Sequence, residues 1–409
     1  MTRSRTTTHH DPSITDDGAR ASWALAVAQL VSWGSVYYSF SLLVVPMEQT
    51  MGWPRTTTNG ALSLGLLISG LAAYPIGTWI DRGHGRTVML AGSVLAAAML
   101  ALWSQAHSLW VLFVVWAGLG VALAAVLYDP VFAIVTRAYP TTFRRKITLI
   151  TLVGGFASTV FIPLTQGLTE VFGWRGCLLS LAAVNIVVCV PIHFWAIRPP
   201  AASSAHDQAS QKAQARSATA LALRTPTFWA LAVCFTAYYT TLATLTFHLV
   251  PLLIERQVAI GWVLTIMGAI GPAQVAARGL WFALGRRARP AVIGLAVTGA
   301  FPIAIVILLY AGTSSFSLLM FALIFGGANG MMTILRGTIV QDVMWTEGYG
   351  SISGLLSVPS NIAKGIAPIS AAALWAVQQH YALVEWTVLA VSLVSFAAFV
   401  VAMRCAVRT

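Results

Sequence analysis

Twelve long apolar runs, separated by short polar or basic breaks, make up nearly the whole of this 409-residue sequence. Read against their Gly, Pro and charge punctuation, they predict spans at 22–45, 58–80, 88–106, 109–136, 147–169, 176–197, 226–253, 258–282, 291–311, 315–341, 352–376 and 382–403. Each is close to the roughly 20 apolar residues that cross a bilayer as a helix. None shows the two-residue alternation of a barrel strand, and backbone in lipid must bond within its own segment or in a closed barrel. The predicted fold is therefore an all-α membrane protein of 12 transmembrane helices.

The breaks organise the runs into two groups of six. The longest polar stretch, Arg198 to Arg224, holds Pro199-Pro200, Ser203-Ser204 and a Gln/Ala-rich run, and is expected to be a flexible linker. The predicted division is a tail at 1–21, a six-helix bundle at 22–197, the linker at 198–225, a second bundle at 226–404 and a tail at 405–409. Tyr37-Tyr38 in span 1 return as Tyr238-Tyr239 in span 7, and Gly77-x-Trp79 returns as Gly279-x-Trp281. Offsets of 201 and 202 are what a duplicated six-helix unit leaves behind.

Composition narrows the function. At 58% hydrophobic and 9% charged, the chain leaves no extramembrane domain of useful size. The net charge of +12 sits between apolar spans rather than on a soluble basic face, which excludes a nucleic-acid partner. Placing the N-terminus in the cytoplasm puts 18 Lys and Arg on that side and only Arg55, Arg175 and Arg256 on the other, so both termini are expected on the cytoplasmic side of a cell's inner membrane. The first 21 residues lack a short apolar region with a cleavage site, so span 1 is expected to stay in the membrane. The four cysteines have no CxxC or metal-ligand spacing, and no HExxH, P-loop or nucleophile elbow occurs. The expectation is a non-enzyme without cofactor or metal, monomeric, whose partners are lipid, a small solute and, in one coupling scheme, protons.

Between spans 2 and 3 stands Gly77-Thr-Trp-Ile-Asp81-Arg82-Gly83-His84-Gly85-Arg86. This resembles the loop signature of the major facilitator superfamily, matching at Gly77, Asp81, Arg82 and Arg86 and departing at His84. Asp81 beside a helix end and an arginine cluster can form a latch that breaks when the halves rock; an ordinary solvated turn is the plainer alternative. The second half keeps Gly279 but has Ala283 at the acidic position, followed by Gly285-Arg286-Arg287, so the latch is expected to be one-sided. Tyr128-Asp129-Pro130, Phe143-Arg144-Arg145, Gly173-Trp174-Arg175 and Gly348-Tyr349-Gly350 extend the likeness toward the monocarboxylate porters and oxalate/formate exchangers.

Charges within the spans cost several kcal/mol and call for a partner, water or a substrate. Five stand out: Asp129, Arg278, Arg336, Asp342 and Lys364. Lys364 lies at the middle of span 11, sharing a face with Ser357 and Asn361. Ala277-Arg278-Gly279-Leu280-Trp281 resembles the span 8 arginine segment of the monocarboxylate and oxalate carriers. That resemblance implies a substrate carboxylate held by Arg278 and, as in the oxalate exchanger, by the span 11 lysine, here Lys364. A guanidinium forks onto a carboxylate while an ammonium adds a point charge. The alternative for Arg278 is snorkelling or pairing with loop carbonyls.

Arg336 is in register with Asn329 and Thr333; it binds substrate or pairs with Asp342 or Glu347. Asp129 is a proton carrier or a salt-bridge partner of Arg137, Arg144 or Arg145. Gln29, Trp33, Tyr37 and Ser41 recur every four residues along span 1 as a cavity wall, and Tyr238, Thr241 and His248 face it from span 7, with His248 a proton carrier or a packing residue. The resulting expectation is a secondary active transporter for a small organic anion, working by alternating access with proton coupling or exchange. The alternative is a carrier for a larger aromatic nutrient or an efflux pump for drugs or other toxic compounds.

Overall fold

A computed structural model describes residues 12–198, 205–284, 290–345 and 347–406, and every regular element among them is helical. The first half contains α1 (Pro12–Ser32), α2 (Phe40–Met51), α3 (Arg55–Trp79), α4 (Gly85–Ser104), α5 (Leu109–Val126), α6 (Tyr128–Ala138), α7 (Phe143–Gly154), α8 (Ala157–Val184) and α9 (Val190–Ala196). After α10 (Ala205–Leu223), the second half contains α11 (Pro226–Glu255), α12 (Ile260–Leu284), α13 (Pro290–Tyr310), α14 (Ser315–Val343), α15 (Tyr349–Gln378) and α16 (Ala382–Arg404). Nine helical stretches among the described residues are long and apolar enough to cross a membrane. Two of them, of 48 and 54 residues, are too long for one crossing. They reverse at Gly83 (φ +91°) and Gly173 (φ +68°), left-handed conformations that glycine adopts without a Cβ clash.

Several segments depart from straight α-helix where the site needs them. The wide turn Trp33–Tyr38 joins α1 to α2, so the two run as one interrupted helix. Leu127 is extended (φ −81°, ψ −157°) and separates α5 from α6, which makes Asp129 a first-turn residue of a new helix. A carboxylate there meets the positive end of the helix dipole, and Pro130 beside it has no amide hydrogen to leave unpaired. The expected flexible linker is corrected over Ala205–Leu223, which is helical. Its Ala, Gln, Lys and Arg favour helix, and no Gly or Pro interrupts it. Residues 199–204 and 285–289 lie outside the described residues, the second stretch carrying the Gly285-Arg286-Arg287 counterpart of the loop motif.

The two bundles meet most extensively where α3 packs on α15. Small residues let the backbones approach: a Cβ on Gly77 would overlap the Gly350 carbonyl, one on Gly354 would meet Ala73, and one on Gly70 would meet Asn361. These contacts run from mid-depth to the end that carries the basic loops. Further across, Arg144 at the start of α7 forms an ion pair with Asp342 near the end of α14. Gly77→Val is expected to force α3 and α15 apart at the basic face, at about 1–3 kcal/mol for overpacking. Spin labels on the basic ends of the two helices read this directly; an unchanged separation would show that closure does not depend on this contact.

Candidate functional site

Lys364 lies at mid-length on α15, between Pro359 and Pro368. Its Nζ donates to Asn361 Oδ1 at 2.9 Å and sits 3.9 Å above the centre of the Tyr239 ring. Among the described residues no carboxylate comes within 4.0 Å of it. The ring face and one amide oxygen offset part of the cost of removing an ammonium from water, and neither neutralises the charge. One face of a helix thus presents a positive group held in place and still short of an anion.

Two turns toward the basic end, the two bundles share a polar cluster. Arg336 on α14 donates to Asp129 Oδ2 at 3.0 Å, to Tyr239 Oη at 2.9 Å and to Ser357 Oγ at 2.5 Å. Ser357 on α15 donates to the same Asp129 oxygen at 2.9 Å. Asp129 belongs to the first bundle and the other three residues to the second, so one carboxylate ties the halves together at depth. The loop arginines expected beside Asp129 are replaced by Arg336. Asp342, expected as a partner of Arg336, takes Arg144 instead. The break at Leu127 explains the exchange, since it turns Asp129 away from the following loop and toward α14.

Arg278 is 4% exposed and lies between the bundles. Its three nitrogens donate to Gly330 O at 3.0 Å, Thr151 O at 2.9 Å and Thr333 Oγ1 at 3.3 Å. In this conformation it is a strut joining α12, α14 and α7 rather than an open fork for a carboxylate, with its nitrogens engaged away from Lys364. Asn329, Thr333 and Arg336 have separate partners in this conformation: Asn329 accepts from the Tyr238 hydroxyl, Thr333 meets Arg278, and Arg336 faces Asp129.

The four-residue stripe on the first span is broken by the wide turn. Trp33 contacts the rings of Tyr37, Tyr38 and Tyr128, with centroids 5.1–6.2 Å apart. Its buried indole N–H has no acceptor among the described residues. Gln29 donates to Val126 O at 2.5 Å, and Ser41 turns outward and bonds Tyr38 O. A π-type turn holds more residues than an α turn, so positions beyond Tyr38 rotate off the stripe. His248 has both ring nitrogens engaged, Nδ1 with Tyr381 Oη at 3.0 Å and Nε2 with Pro368 O at 2.9 Å, the geometry of a packing residue.

At the basic end, Asp81 accepts from the backbone N–H groups of Gly350 and Ser351 at 2.9 and 2.7 Å and from Ser351 Oγ at 2.6 Å. A carboxylate of one bundle thereby caps the first turn of α15 in the other, satisfying amides that the helix leaves unpaired. Arg137, rather than Arg82 or Arg86, braces this loop by donating to the Ile80 and Asp81 carbonyls. Arg86 stacks on Phe194, 3.8 Å from its centre. In the sequence Tyr239 stands out only within a repeated dipeptide and Ser357 only by sharing a helix face with Lys364. Ser351 carries no such signal, because its role depends on a helix from the other half.

The sequence matches the family model of the Major Facilitator Superfamily over residues 25–368. Among curated proteins, mouse monocarboxylate transporter 11 is 32% identical over 122 residues, 28% of this chain and 26% of that protein. Rat monocarboxylate transporter 13 is 28% identical over 166 residues, 40% of this chain and 36% of that one. The chain thus spans only about a quarter to a third of these relatives' length in the matched regions. Two solved structures share the fold across most of both chains. The human organic anion transporter MFSD10 has a TM-score of 0.72 at 18% identity, covering 93% of this chain and 99% of its own. FucP in its outward conformation has a TM-score of 0.70 at 13% identity, covering 94% and 98%. With its two helical bundles meeting at α3 and α15, and with the family model matched across most of its length, this chain belongs to the Major Facilitator Superfamily and is a multi-pass membrane protein.

Proposed function

We propose that the protein carries a small organic anion, a carboxylate, by alternating access of two six-helix bundles at 22–197 and 226–404. The observation that carries this reading is Lys364, a mid-membrane cation without a counter-ion among the described residues, positioned against Tyr239. A carboxylate entering beside it gains a charge-assisted hydrogen bond in a low-dielectric site, while Trp33 and Tyr37 offer surface for the organic part. Its charge fits relatives whose names describe monocarboxylate and organic anion transport. We read the chain as twelve crossings, monomeric, with both termini and the basic face in the cytoplasm of an inner membrane, so that the conformation described is closed toward the cytoplasm. Asp129, which both ties the bundles and can bind a proton, is the proposed coupling residue; exchange of anions is the other coupling scheme.

The aromatic wall of Trp33, Tyr37, Tyr38 and Tyr128 favours a second reading, a larger aromatic solute. Reconstituted protein separates them. The first reading expects labelled small monocarboxylates to accumulate in proteoliposomes, with an inward proton gradient raising the initial rate if Asp129 couples. Accumulation of neutral aromatics with no carboxylate uptake would replace it with the second.

A further inference from the structure

A separate cavity of about 620 Å³ opens on the basic face between the two bundles, away from Lys364. Its mouth carries Arg144, Arg145 and the exposed hydroxyls of Thr141 and Thr142 from the first bundle. Its inner wall is Trp281, Phe282, Met331 and Leu335 from the second. Arg144 is neutralised by Asp342. Arg145 is exposed, lies over the Phe282 ring with its guanidinium carbon 5.9 Å from the centre, and has no carboxylate within 4.0 Å among the described residues.

We infer that this cleft binds an anionic phospholipid, its phosphate on Arg145 and the Thr141 and Thr142 hydroxyls and its acyl chains against Trp281, Phe282 and Leu335. The arrangement is stratified as a lipid is: a cation and hydroxyls at the rim, an aromatic ring below, and aliphatic side chains deeper. Lys and Arg pockets between membrane helices on the basic side attract anionic headgroups, and a tryptophan marks the interfacial depth. A guanidinium suits phosphate because its fork meets two oxygens at once. Since Arg145 is on α7 and Phe282 on α12, a bound lipid touches both bundles. It therefore stabilises the state in which this face is closed.

The test compares nanodiscs of pure phosphatidylcholine with nanodiscs in which about one lipid in five is phosphatidylglycerol, reading melting temperature and the lipid retained in native mass spectrometry. Phosphatidylglycerol is expected to raise the melting temperature of the parent and remain bound. Arg145→Gln is expected to weaken retention about fivefold and remove the shift, the loss of one cation near a headgroup. Arg216→Gln, on α10, is expected to retain the full shift. An undiminished response in Arg145→Gln, or an equal loss in Arg216→Gln, would overturn the site. If inorganic phosphate in phosphatidylcholine nanodiscs reproduces the shift, the cleft takes free phosphate and the lipid assignment fails. None of these readouts depends on the transported solute.

Discussion

Replacing Lys364 with Gln is expected to reduce carboxylate uptake about a hundredfold or more while leaving the protein folded in the membrane. A charge-assisted hydrogen bond to a buried carboxylate is worth about 3 kcal/mol, and each 1.4 kcal/mol is tenfold in affinity. Stability moves the other way. The ammonium has no counter-ion among the described residues, so the neutral amide removes a desolvation cost, and the variant should melt at or above the parent temperature. Lys364→Arg is expected to restore only part of the rate, because a planar fork cannot occupy the space of a compact ammonium over Tyr239. Initial uptake rates in proteoliposomes and a thermal melt on the same preparation decide the matter. A variant that loses uptake and stability together would mark Lys364 as structural, and normal uptake would remove it from the site.

The second large effect concerns stability. Arg336→Gln leaves the Asp129 carboxylate with Ser357 as its remaining partner, and breaking a largely buried ion pair from one side costs about 3–5 kcal/mol. The Asp129 side chain keeps 30% of its surface accessible, so the lower end of that range applies. Asp129→Asn alone leaves the arginine unpaired with a similar penalty. The double variant is expected to recover more than half of the summed loss, since neither charge is then stranded. Denaturation of the four proteins in one detergent gives the coupling energy. Additive losses would show that the two residues do not stabilise the protein as a pair.

Much of this fold was legible in the sequence because lipid imposes long apolar runs and charge marks the breaks. Lys364 with Asn361 was also legible, since a spacing of three on a helix is a contact that needs no tertiary information. The partner of Asp129 was not. It depended on one extended residue, Leu127, and on the packing of α6 against α14, neither of which periodicity encodes. Arg278 shows the opposite limit. Its segment resembled that of anion carriers, yet the carbonyls of Gly330 and Thr151 take its nitrogens, and backbone acceptors from neighbouring helices leave no mark in sequence. The stripe on the first span failed beyond Tyr38 because α-helical spacing was carried through a wider turn, and Ala205–Leu223 was read as flexible from its polarity although its side chains favour helix.

The solitary ammonium of Lys364 has an electrical consequence. When the empty carrier turns from one compartment to the other, a positive group changes the bath it senses, and each elementary charge moved through the full potential exchanges about 2.3 kcal/mol per 100 mV. With a monovalent anion aboard, the moving centre is neutral and the voltage has little hold on it. In the proposed carrier cycle, loaded and empty turnovers therefore respond unequally to an energised membrane, and the direction of net transport sets whether the potential speeds or slows the vacant return.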